Sequence, residues 1–348
     1  MPPPNLAIIY GTRPEYLKLI PLIHKLRVIN YPLKVIRVGQ HNSIFDGETF
    51  DEFIAIEESQ LAHNRVTDVA SQIFTKLPAS LTDCRHVLVQ GDTATVAFSA
   101  QVAHLLRKRV IHLEAGMRTY NLANPFPEEG FRQIVSRIAD IHLCPHEENA
   151  AILTAERVQG QIYVVGNTIL DLVRSYQIPV TTEHVVLITL HRRENWGEFE
   201  AWLRELYALA HRHRNYSFIF LAHMNPHLQA MIGDIDSELP HNFTISPPME
   251  HSECIEELSR CAAVITDSGG IQEEANFLGK FIYVPRKQTE RSAIPADRLR
   301  LLLRPADLRQ VRLPADARQL QLPPDISYGR GDSCERICSI LTGLNAAE

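Results

Sequence analysis

The feature that most constrains this chain is a repeated alternation between short apolar runs and helical periodicity. Leu6–Tyr10 ends at Gly11, and apolar residues then recur at the i, i+3, i+4, i+7 spacing of a helix, at Leu19, Leu22, Ile23 and Leu26. Further short apolar runs occupy residues 34–38, 87–89, 110–113, 163–165, 185–189, 218–221, 243–245, 264–266 and 281–284. Strands that alternate with helices predict an α/β fold with parallel sheets covered by helices on both faces.

The length of the chain and a break in this alternation predict two domains. At roughly 150 residues per domain, 348 residues suffice for two cores. A polar, turn-rich stretch at residues 177–183 separates two series of strands and helices. We therefore expect two doubly wound, Rossmann-like lobes, residues 1–172 and 173–334, with a helix at 335–348 that packs back on the first lobe. Residues 299–324 are expected to form surface helix and loop.

Composition excludes several classes of protein. Thirty-five Lys and Arg against 41 Asp and Glu give a net charge of −6, which disfavours a chain that wraps duplex nucleic acid. The six cysteines contain no C-x-x-C pair, so we interpret them as reduced thiols of a cytoplasmic protein rather than as a metal or redox motif. No signal peptide and no membrane-spanning segment is predicted.

Charged residues follow the strands of the first predicted lobe, where ligands of open parallel sheets bind. Arg13 comes directly after the Gly11 turn, at the start of a helix that can help to hold an anion. Asp92, Glu114 and Glu128 follow later strands, and each alone is also explained as a helix cap or a first-turn acid. Together they favour proton transfer at carbon or stabilisation of a cation.

The second predicted lobe carries complementary groups. His191 and His223 follow its first two strands, and Ser268, Gly269 and Gly270 join a strand to a helix in a sequence typical of an anion cradle. Glu274 lies one turn into that helix, where its carboxylate could accept from a ribose diol. No His, Asp or Glu cluster has metal-ligand spacing, and no Walker or Gly-x-Ser-x-Gly pattern occurs.

Taken together, nine motifs in order resemble the non-hydrolysing UDP-N-acetylglucosamine 2-epimerases over residues 6–335. They are GTRPE (11–15), GQH (39–41), QGDTAT (90–95), HLEAGMRT (112–119), PFPEE (125–129), GN (166–167), HRREN (191–195), HMNP (223–226) and DSGGIQEEA (267–275). The resemblance implies the two-lobed GT-B architecture, with a UDP-sugar in the cleft between the lobes and neither a metal nor a redox cofactor. It also implies a homodimer that interconverts UDP-N-acetylglucosamine and UDP-N-acetylmannosamine for cell-surface polysaccharide synthesis.

The resemblance assigns roles residue by residue. The catalytic residues would be Asp92, Glu114, Glu128 and His191, and which carboxylate is the base stays open. Ser268, Gly269, Gly270 and Arg13 would hold the diphosphate, Glu274 the ribose, and Met249 and Cys254 would lie at the uracil. Further substrate contacts are expected from Lys18, Gln40, His41, Arg132, His223 and Arg291.

Other functions remain open at this stage. A GT-B glycosyltransferase that uses a UDP-sugar would share the anion cradle but would not need three carboxylates. After Arg291 the family usually continues Pro-Glu and soon Gly, whereas residues 292–297 here read SAIPAD. This departure leaves room for a non-catalytic UDP-sugar sensor, or for an epimerase of a related sugar such as a UDP-2,3-diacetamido uronic acid.

A second departure concerns activation by substrate, which is frequent in bacterial members of the family. Lys18, Gln40 and His41 match the positions that contact the activating molecule, but the following loop lacks the usual Gly and Gln at residues 61–65. Loss of that Gly changes the accessible backbone angles, and loss of the Gln removes an amide that both donates and accepts. We therefore hypothesise that substrate activation is weak or absent.

Overall fold

The chain forms two compact units, described here from a computed structural model that covers residues 5–39, 48–57, 65–222, 230–232 and 239–347. The first unit comprises Met1–Leu172 together with Gly329–Glu348, and the second comprises Val173–Tyr328. The chain thus returns to the first unit at Gly329, earlier than the expected boundary at residue 335.

The first unit contains a seven-stranded parallel sheet with the order β3-β2-β1-β4-β5-β6-β7. The strands are β1 (Leu6–Tyr10), β2 (Leu33–Gly39), β3 (Glu52–Ala55), β4 (His86–Gln90), β5 (Arg109–Leu113), β6 (Ile141–Cys144) and β7 (Gln161–Val164). The helices are α1 (Arg13–Val28), α2 (Arg65–Ser80), α3 (Ala94–Leu105), α4 (Glu128–Ile138) and α5 (Glu147–Ala155). Helix α6 (Ile169–Ser175) crosses from this unit into the second.

The second unit contains a six-stranded parallel sheet with the order β10-β9-β8-β11-β12-β13. The strands are β8 (Val185–Thr189), β9 (Ser217–Leu221), β10 (Phe243–Ser246), β11 (Ala263–Thr266), β12 (Phe281–Val284) and β13 (Leu299–Leu301). The helices are α7 (Phe199–Arg212), α8 (His251–Arg260) and α9 (Gly269–Phe277), and α10 (Ser333–Ala347) follows in the first unit. The two parallel α/β sheets confirm the predicted fold class.

The central strands were predicted from the sequence because they are buried. Other parts of the fold were not predicted. Every residue of β1, β4 and β8 is buried, as expected of strands covered on both faces. Strands β3, β6 and β13 were not predicted. The expectation of surface structure over residues 299–324 was wrong in part, because Leu302, Leu308 and Val311 are fully buried in the core of the second unit.

In each sheet, successive strands are added first on one side of the first strand and then on the other. In the first unit, β1 lies between β2 and β4, so the chain leaves β1 and β4 toward opposite faces of the sheet. In the second unit, β8 occupies the same place between β9 and β11. Loops that diverge at such a switch point open a crevice beyond the carboxyl ends of the strands, where ligands of this fold bind.

The last helix completes the first unit. The backbone N–H groups of Ser333 and Cys334 donate to the Asp171 carboxylate at 3.1 and 2.9 Å, which caps the start of α10. The Tyr31 hydroxyl donates to the carbonyl oxygen of Leu341 at 3.2 Å, and apolar residues of α10 join the core around β1 and α1. Within the described ranges, no helix is long and apolar enough to cross a membrane.

Candidate active site

Arg13 stands at the start of α1, on a turn that a buried carboxylate holds in place. Glu15 accepts hydrogen bonds from the backbone N–H groups of Gly11 at 2.6 Å and Thr12 at 3.1 Å. Its other oxygen accepts from the Thr93 hydroxyl at 2.5 Å, which ties this turn to the loop after β4. Burial raises the pKa of Glu15. This role was not predicted from the sequence, although Glu15 belongs to the GTRPE motif.

Asp92 lies in the loop after β4 and is paired with the predicted substrate residue Arg132. The Arg132 Nε donates to Asp92 Oδ2 at 2.8 Å, and a second guanidinium nitrogen lies 2.7 Å from the same oxygen. The Asp92 side chain remains 29% exposed. The structure therefore brings helix α4, which carries Arg132, against the carboxyl end of β4.

Glu114 follows β5, and its carboxylate accepts from the side chains of Lys18 and Gln90. Lys18 Nζ lies 2.5 Å from Glu114 Oε2, and the Gln90 side-chain amide donates to the same oxygen. Glu114 has a φ of 67°, a left-handed backbone conformation that is uncommon for residues other than Gly. Such strain accumulates at functional sites, where the surrounding structure enforces it. Lys18, predicted to contact substrate, is thus placed against a predicted catalytic carboxylate.

Glu128 and Glu129 begin α4 and have different surroundings. The Glu128 side chain is partly exposed and makes no hydrogen bond or ion pair with the residues that the structure describes. Glu129 is buried and accepts from the backbone N–H groups of Thr119 at 2.9 Å and Tyr120 at 3.2 Å. Burial opposes ionisation of Glu129, but hydrogen bonds from Gln133 and Thr119 hold its pKa below the usual value. Glu129 therefore organises the loop, whereas Glu128 is available for chemistry.

The three predicted carboxylates lie at one edge of the first unit's sheet. Gln90, at the end of β4, contacts Glu114, at the end of β5, and Arg132 joins Asp92 to α4. Glu128 precedes Arg132 by one helical turn, a spacing that puts both side chains on the same face of α4.

His112 supports this edge from within the sheet. Its Nε2 donates to the carbonyl oxygen of Gly91 at 2.8 Å, directly before Asp92 in the chain. Burial lowers the pKa of His112 to about 4, so the ring is neutral at pH 7. The motif HLEAG therefore combines a structural histidine with Glu114, a candidate catalytic carboxylate whose side chain is 8% exposed.

In the second unit, a buried aspartate orients the predicted catalytic histidine. His191 Nδ1 lies 3.2 Å from Asp267 Oδ1, with the histidine side chain 29% exposed and the aspartate fully buried. Asp267 also accepts from the backbone N–H of His191 and of Arg192 at 2.9 to 3.1 Å, and from the Asn195 amide at 2.9 Å. Because the carboxylate engages Nδ1, Asp267 fixes the orientation of the His191 ring. Asp267 was quoted only as part of a motif and its role was missed.

Residues 268–270 form the turn into α9, where backbone N–H groups are exposed to an anion. A Cβ atom added to Gly269 would lie 2.6 Å from the guanidinium carbon of Arg291, so that guanidinium packs on the glycine. A Cβ added to Gly270 would meet nothing within 4 Å, which leaves this side of the helix open. Arg291 is held there by Glu273, whose Oε1 accepts from Nε at 2.8 Å. The structure thus brings Arg291 to the predicted phosphate cradle.

Three arginines lie near this cradle, together with carboxylates that pair with them. Burial lowers the pKa of Arg192, and the neighbouring guanidinium groups of Arg286 and Arg291 lower it further. Arg286 is balanced by ion pairs with Glu194 at 2.5 Å and Glu290 at 2.9 Å. The repulsion between the guanidinium groups is thus offset by neighbouring carboxylates, and an anion bound here would offset it further.

Glu274, which is predicted to bind the ribose, is buried on α9, and one of its carboxylate oxygens is hydrogen-bonded. Its Oε1 accepts from His251 Nε2 at 2.9 Å, and His251 Nδ1 lies 2.9 Å from the Tyr176 hydroxyl. Neither Tyr176 nor His251 was singled out in the sequence, because nothing in the local pattern relates residues so far apart in the chain.

The remaining predicted contacts divide into two groups. Met249 is partly exposed in the segment after β10, and Cys254 is buried in α8. Gln40, His41, His223 and the loop at residues 61–64 lie outside the described residues. Among the residues that the structure covers, no group of three or more His, Cys, Asp or Glu side chains could hold a metal ion.

Comparison with known proteins relates this chain to one family. The UDP-N-acetylglucosamine 2-epimerase family model matches residues 25–342. A UDP-N-acetylglucosamine 2-epimerase of Campylobacter jejuni is 31% identical, with 97% of each chain covered. That of Neisseria meningitidis is 34% identical, with 86% of this chain and 87% of the relative covered.

Solved structures agree with this relationship. The structure of the N. meningitidis epimerase bound to UDP-GlcNAc superposes with a TM-score of 0.87 at 28% identity, covering 97% of this chain and 100% of the other. A structure of S. aureus MnaA with UDP gives a TM-score of 0.84 at 27% identity, covering 98% and 97%. With the family model spanning nearly the whole chain and these relatives covering most of it, the chain belongs to the UDP-N-acetylglucosamine 2-epimerase family of isomerases.

Proposed function

We propose that this protein interconverts UDP-N-acetylglucosamine and UDP-N-acetylmannosamine by inversion at carbon 2, without hydrolysis. The observation that carries the proposal is the group of three carboxylates, Asp92, Glu114 and Glu128, at one edge of the first unit's sheet. A protein that only binds a UDP-sugar, or that transfers its sugar, has no need of three such groups. Groups that deliver and remove protons on both faces of one carbon do need them.

The second unit supplies the nucleotide site of this proposal. The N–H groups at the start of α9 and the guanidinium of Arg291 would hold the diphosphate, and Glu274 would hold the ribose. The solved structures of relatives with UDP or UDP-GlcNAc support this assignment, since their chains superpose on this one over nearly its full length.

The chemistry follows from the substrate. The proton on carbon 2 is not acidified by an adjacent carbonyl, so direct abstraction would be too slow. Cleavage of the bond from the anomeric carbon to UDP creates an oxocarbenium-like centre that acidifies carbon 2. A carboxylate then removes the proton to give 2-acetamidoglucal and UDP. Return of a proton to the opposite face, followed by re-addition of UDP, inverts the centre.

Each group has a part in these steps. His191, with Nδ1 bound to Asp267, would act in its doubly protonated form and donate the Nε2 proton to the departing diphosphate. We assign the base of one direction to Glu128, because none of the described residues donates to its carboxylate. Asp92 and Glu114, held by Arg132 and Lys18, would stabilise the developing positive charge and take part in the return of the proton.

Proton NMR of UDP-N-acetylglucosamine with the protein in deuterated water tests the proposal. We expect deuterium to enter carbon 2 and a manno product to form. Glu128→Gln or His191→Ala should slow this exchange by about 10²–10⁴-fold. Glu147→Gln is the matched control, because Glu147 is also the first residue of a helix in the same unit but is exposed at α5. Its exchange rate should equal that of the unchanged protein.

Three results would contradict the proposal. Exchange at an unchanged rate in Glu128→Gln, Asp92→Asn and Glu114→Gln would remove the carboxylates from the mechanism. A transferred sugar with free UDP would identify a glycosyltransferase. Binding of UDP-N-acetylglucosamine without any exchange would identify a sensor or an epimerase of another UDP-sugar.

We further propose a cellular setting. None of the six cysteines forms a disulfide and all six are buried, which suits the reducing conditions of the cytoplasm. The resemblance noted in the sequence supports a homodimer that serves polysaccharide precursor synthesis, and sedimentation of the purified protein would test the dimer.

A further inference from the structure

Three side chains from separate segments of the second unit form one hydrogen-bonded row. Tyr176 lies just beyond α6, His251 begins α8, and Glu274 lies on α9. His251 Nδ1 lies 2.9 Å from the Tyr176 hydroxyl oxygen, and His251 Nε2 lies 2.9 Å from Glu274 Oε1. The rings of Tyr176 and His251 also pack with their centroids 5.7 Å apart. The His251 side chain is 11% exposed and that of Glu274 is 5% exposed, so water competes little for these bonds.

The chemistry of the row fixes the direction of each bond. An ionised carboxylate only accepts, so the Nε2 atom of His251 carries the proton that is donated to Glu274. In the neutral ring, Nδ1 is then an acceptor, and the Tyr176 hydroxyl donates to it. The row therefore runs in one direction, from tyrosine through histidine to carboxylate, and holds Glu274 Oε1 in place.

The other oxygen of Glu274 remains for a ligand. None of the described residues donates to Oε2. Gly270, with open space where a Cβ would lie, precedes Glu274 by four residues and therefore shares its face of α9. A carboxylate on this face, one turn beyond the phosphate cradle, can accept from a sugar hydroxyl of a nucleotide held there. Because the ionised carboxylate only accepts hydrogen bonds, it can bind a 2′-hydroxyl group but gains no hydrogen bond from the CH₂ group of a 2′-deoxyribose.

We infer that Tyr176 and His251 are positioning residues for Glu274 and that, through it, they set the preference of the nucleotide site for a ribose over a 2′-deoxyribose. The inference rests on the proposed function, since it requires UDP at the start of α9. Without the row, the Glu274 side chain can rotate away from the sugar, and the hydrogen bond that distinguishes the two nucleotides is weakened. Neither residue touches the sugar itself.

Calorimetry with UDP and 2′-deoxy-UDP tests this inference. The unchanged protein should bind UDP about tenfold more tightly or better, because a hydrogen bond to a charged acceptor is lost with the 2′-hydroxyl. His251→Phe keeps a ring against Tyr176 but removes both nitrogens. It should reduce the preference by about threefold or more through weaker UDP binding, with the affinity for 2′-deoxy-UDP nearly unchanged. His251→Gln, which retains an amide donor, should recover part of the preference.

Two further variants keep the test decisive. Tyr176→Phe removes only the hydroxyl and should lower the preference in the same direction, even where His251→Phe fails to fold. His184→Phe is the matched control, since the His184 ring also packs against a tyrosine ring, that of Tyr216, and its Nε2 hydrogen-bonds the Ala315 carbonyl. It should leave the preference unchanged.

The outcomes separate this inference from the function on which it rests. The positioning role would be overturned if His251→Phe and Tyr176→Phe kept the full preference for UDP over 2′-deoxy-UDP. It would also be overturned if these variants lost affinity for the two nucleotides equally. Equal affinity of the unchanged protein for the two nucleotides would overturn it as well, and in each case the epimerase proposal would stand. Failure of the unchanged protein to bind UDP would overturn the proposed function and this inference together.

Discussion

At the scale of single residues, His191 owes its proposed role to a fully buried neighbour, Asp267. Asp267 is fully buried, engages Nδ1 of the ring, and accepts from the backbone of the segment that carries it. The carboxylate therefore fixes the position of the ring and keeps a proton on Nδ1. A carboxylate in this place also stabilises the imidazolium form when it arises.

Asp267→Asn should lower kcat by roughly 10²-fold while UDP affinity changes little, because the amide keeps the shape of the carboxylate but favours the wrong tautomer of His191. Kinetics of the single and double variants with His191→Ala measure the coupling, and the double variant should be no slower than His191→Ala alone. Asp316→Asn, at an exposed aspartate paired with Arg318, is the control. Independent, multiplying effects of Asp267→Asn and His191→Ala would contradict the positioning role.

Sequence motifs identified the candidate catalytic residues better than the residues that hold them in place. Asp92, Glu114 and His191 follow strands, so their place at a sheet edge could be predicted. The partners of these residues could not, because Lys18 meets Glu114, and Asp267 meets His191, across large separations in the chain. The difference between Glu128 and its buried neighbour Glu129 depends on the path of the loop at residues 119–120, which no local pattern reveals.

At the scale of elements, the start of α9 has two adjacent glycines with different surroundings. Gly269 lies under the guanidinium of Arg291, whereas Gly270 faces open space. Gly270→Val should fold normally and weaken UDP binding by about 1–3 kcal/mol, because the new side chain occupies the place of the phosphate. Calorimetry measures the loss.

The neighbouring position gives a contrasting outcome. Gly269→Ala must displace Arg291, so it should weaken UDP binding and also lower the melting temperature, by disturbing the Arg291–Glu273 pair. Gly343→Val in α10, another helical glycine with no atom near its Cβ position, should change neither quantity. UDP affinity in Gly270→Val equal to that of the unchanged protein would place the phosphate elsewhere.

The strands that could be predicted from the sequence are those with an uninterrupted run of apolar residues. Strands β1, β4 and β8 are buried throughout and could be read from the sequence. Strand β3 begins with Glu52 and β13 has three residues, and each lies at an edge of its sheet, where one side needs no partner strand. Strand β6 was missed because His142, although fully buried, interrupts its apolar run.

At the scale of the whole molecule, buried histidines make the first unit sensitive to acid. Burial lowers the pKa of His112 from 6.5 to about 4 and lowers that of His142 in the same direction. The unfolded chain therefore binds more protons than the folded one between these pH values, and stability falls as the pH drops from 6.5 toward 4. The full contribution of His112, present above pH 6.5, is about 3 kcal/mol.

Chemical denaturation at pH 7 and pH 4 measures this loss. His112→Gln retains a donor for the Gly91 carbonyl but does not titrate, so its free energy of unfolding should change less between the two pH values. His24→Gln, at an exposed histidine of α1, should behave like the unchanged protein. Equal acid sensitivity in His112→Gln and the unchanged protein would show that His112 does not carry the effect.

The return of the chain to its first unit at Gly329 has a consequence for biosynthesis. Cys334, Ile337 and Leu341 of α10 belong to the same core as β1 and α1, yet a ribosome makes them only after the whole of the second unit. The second unit, by contrast, is one uninterrupted stretch of sequence. During translation it can therefore bury its core before the first unit receives the helix that completes its own core.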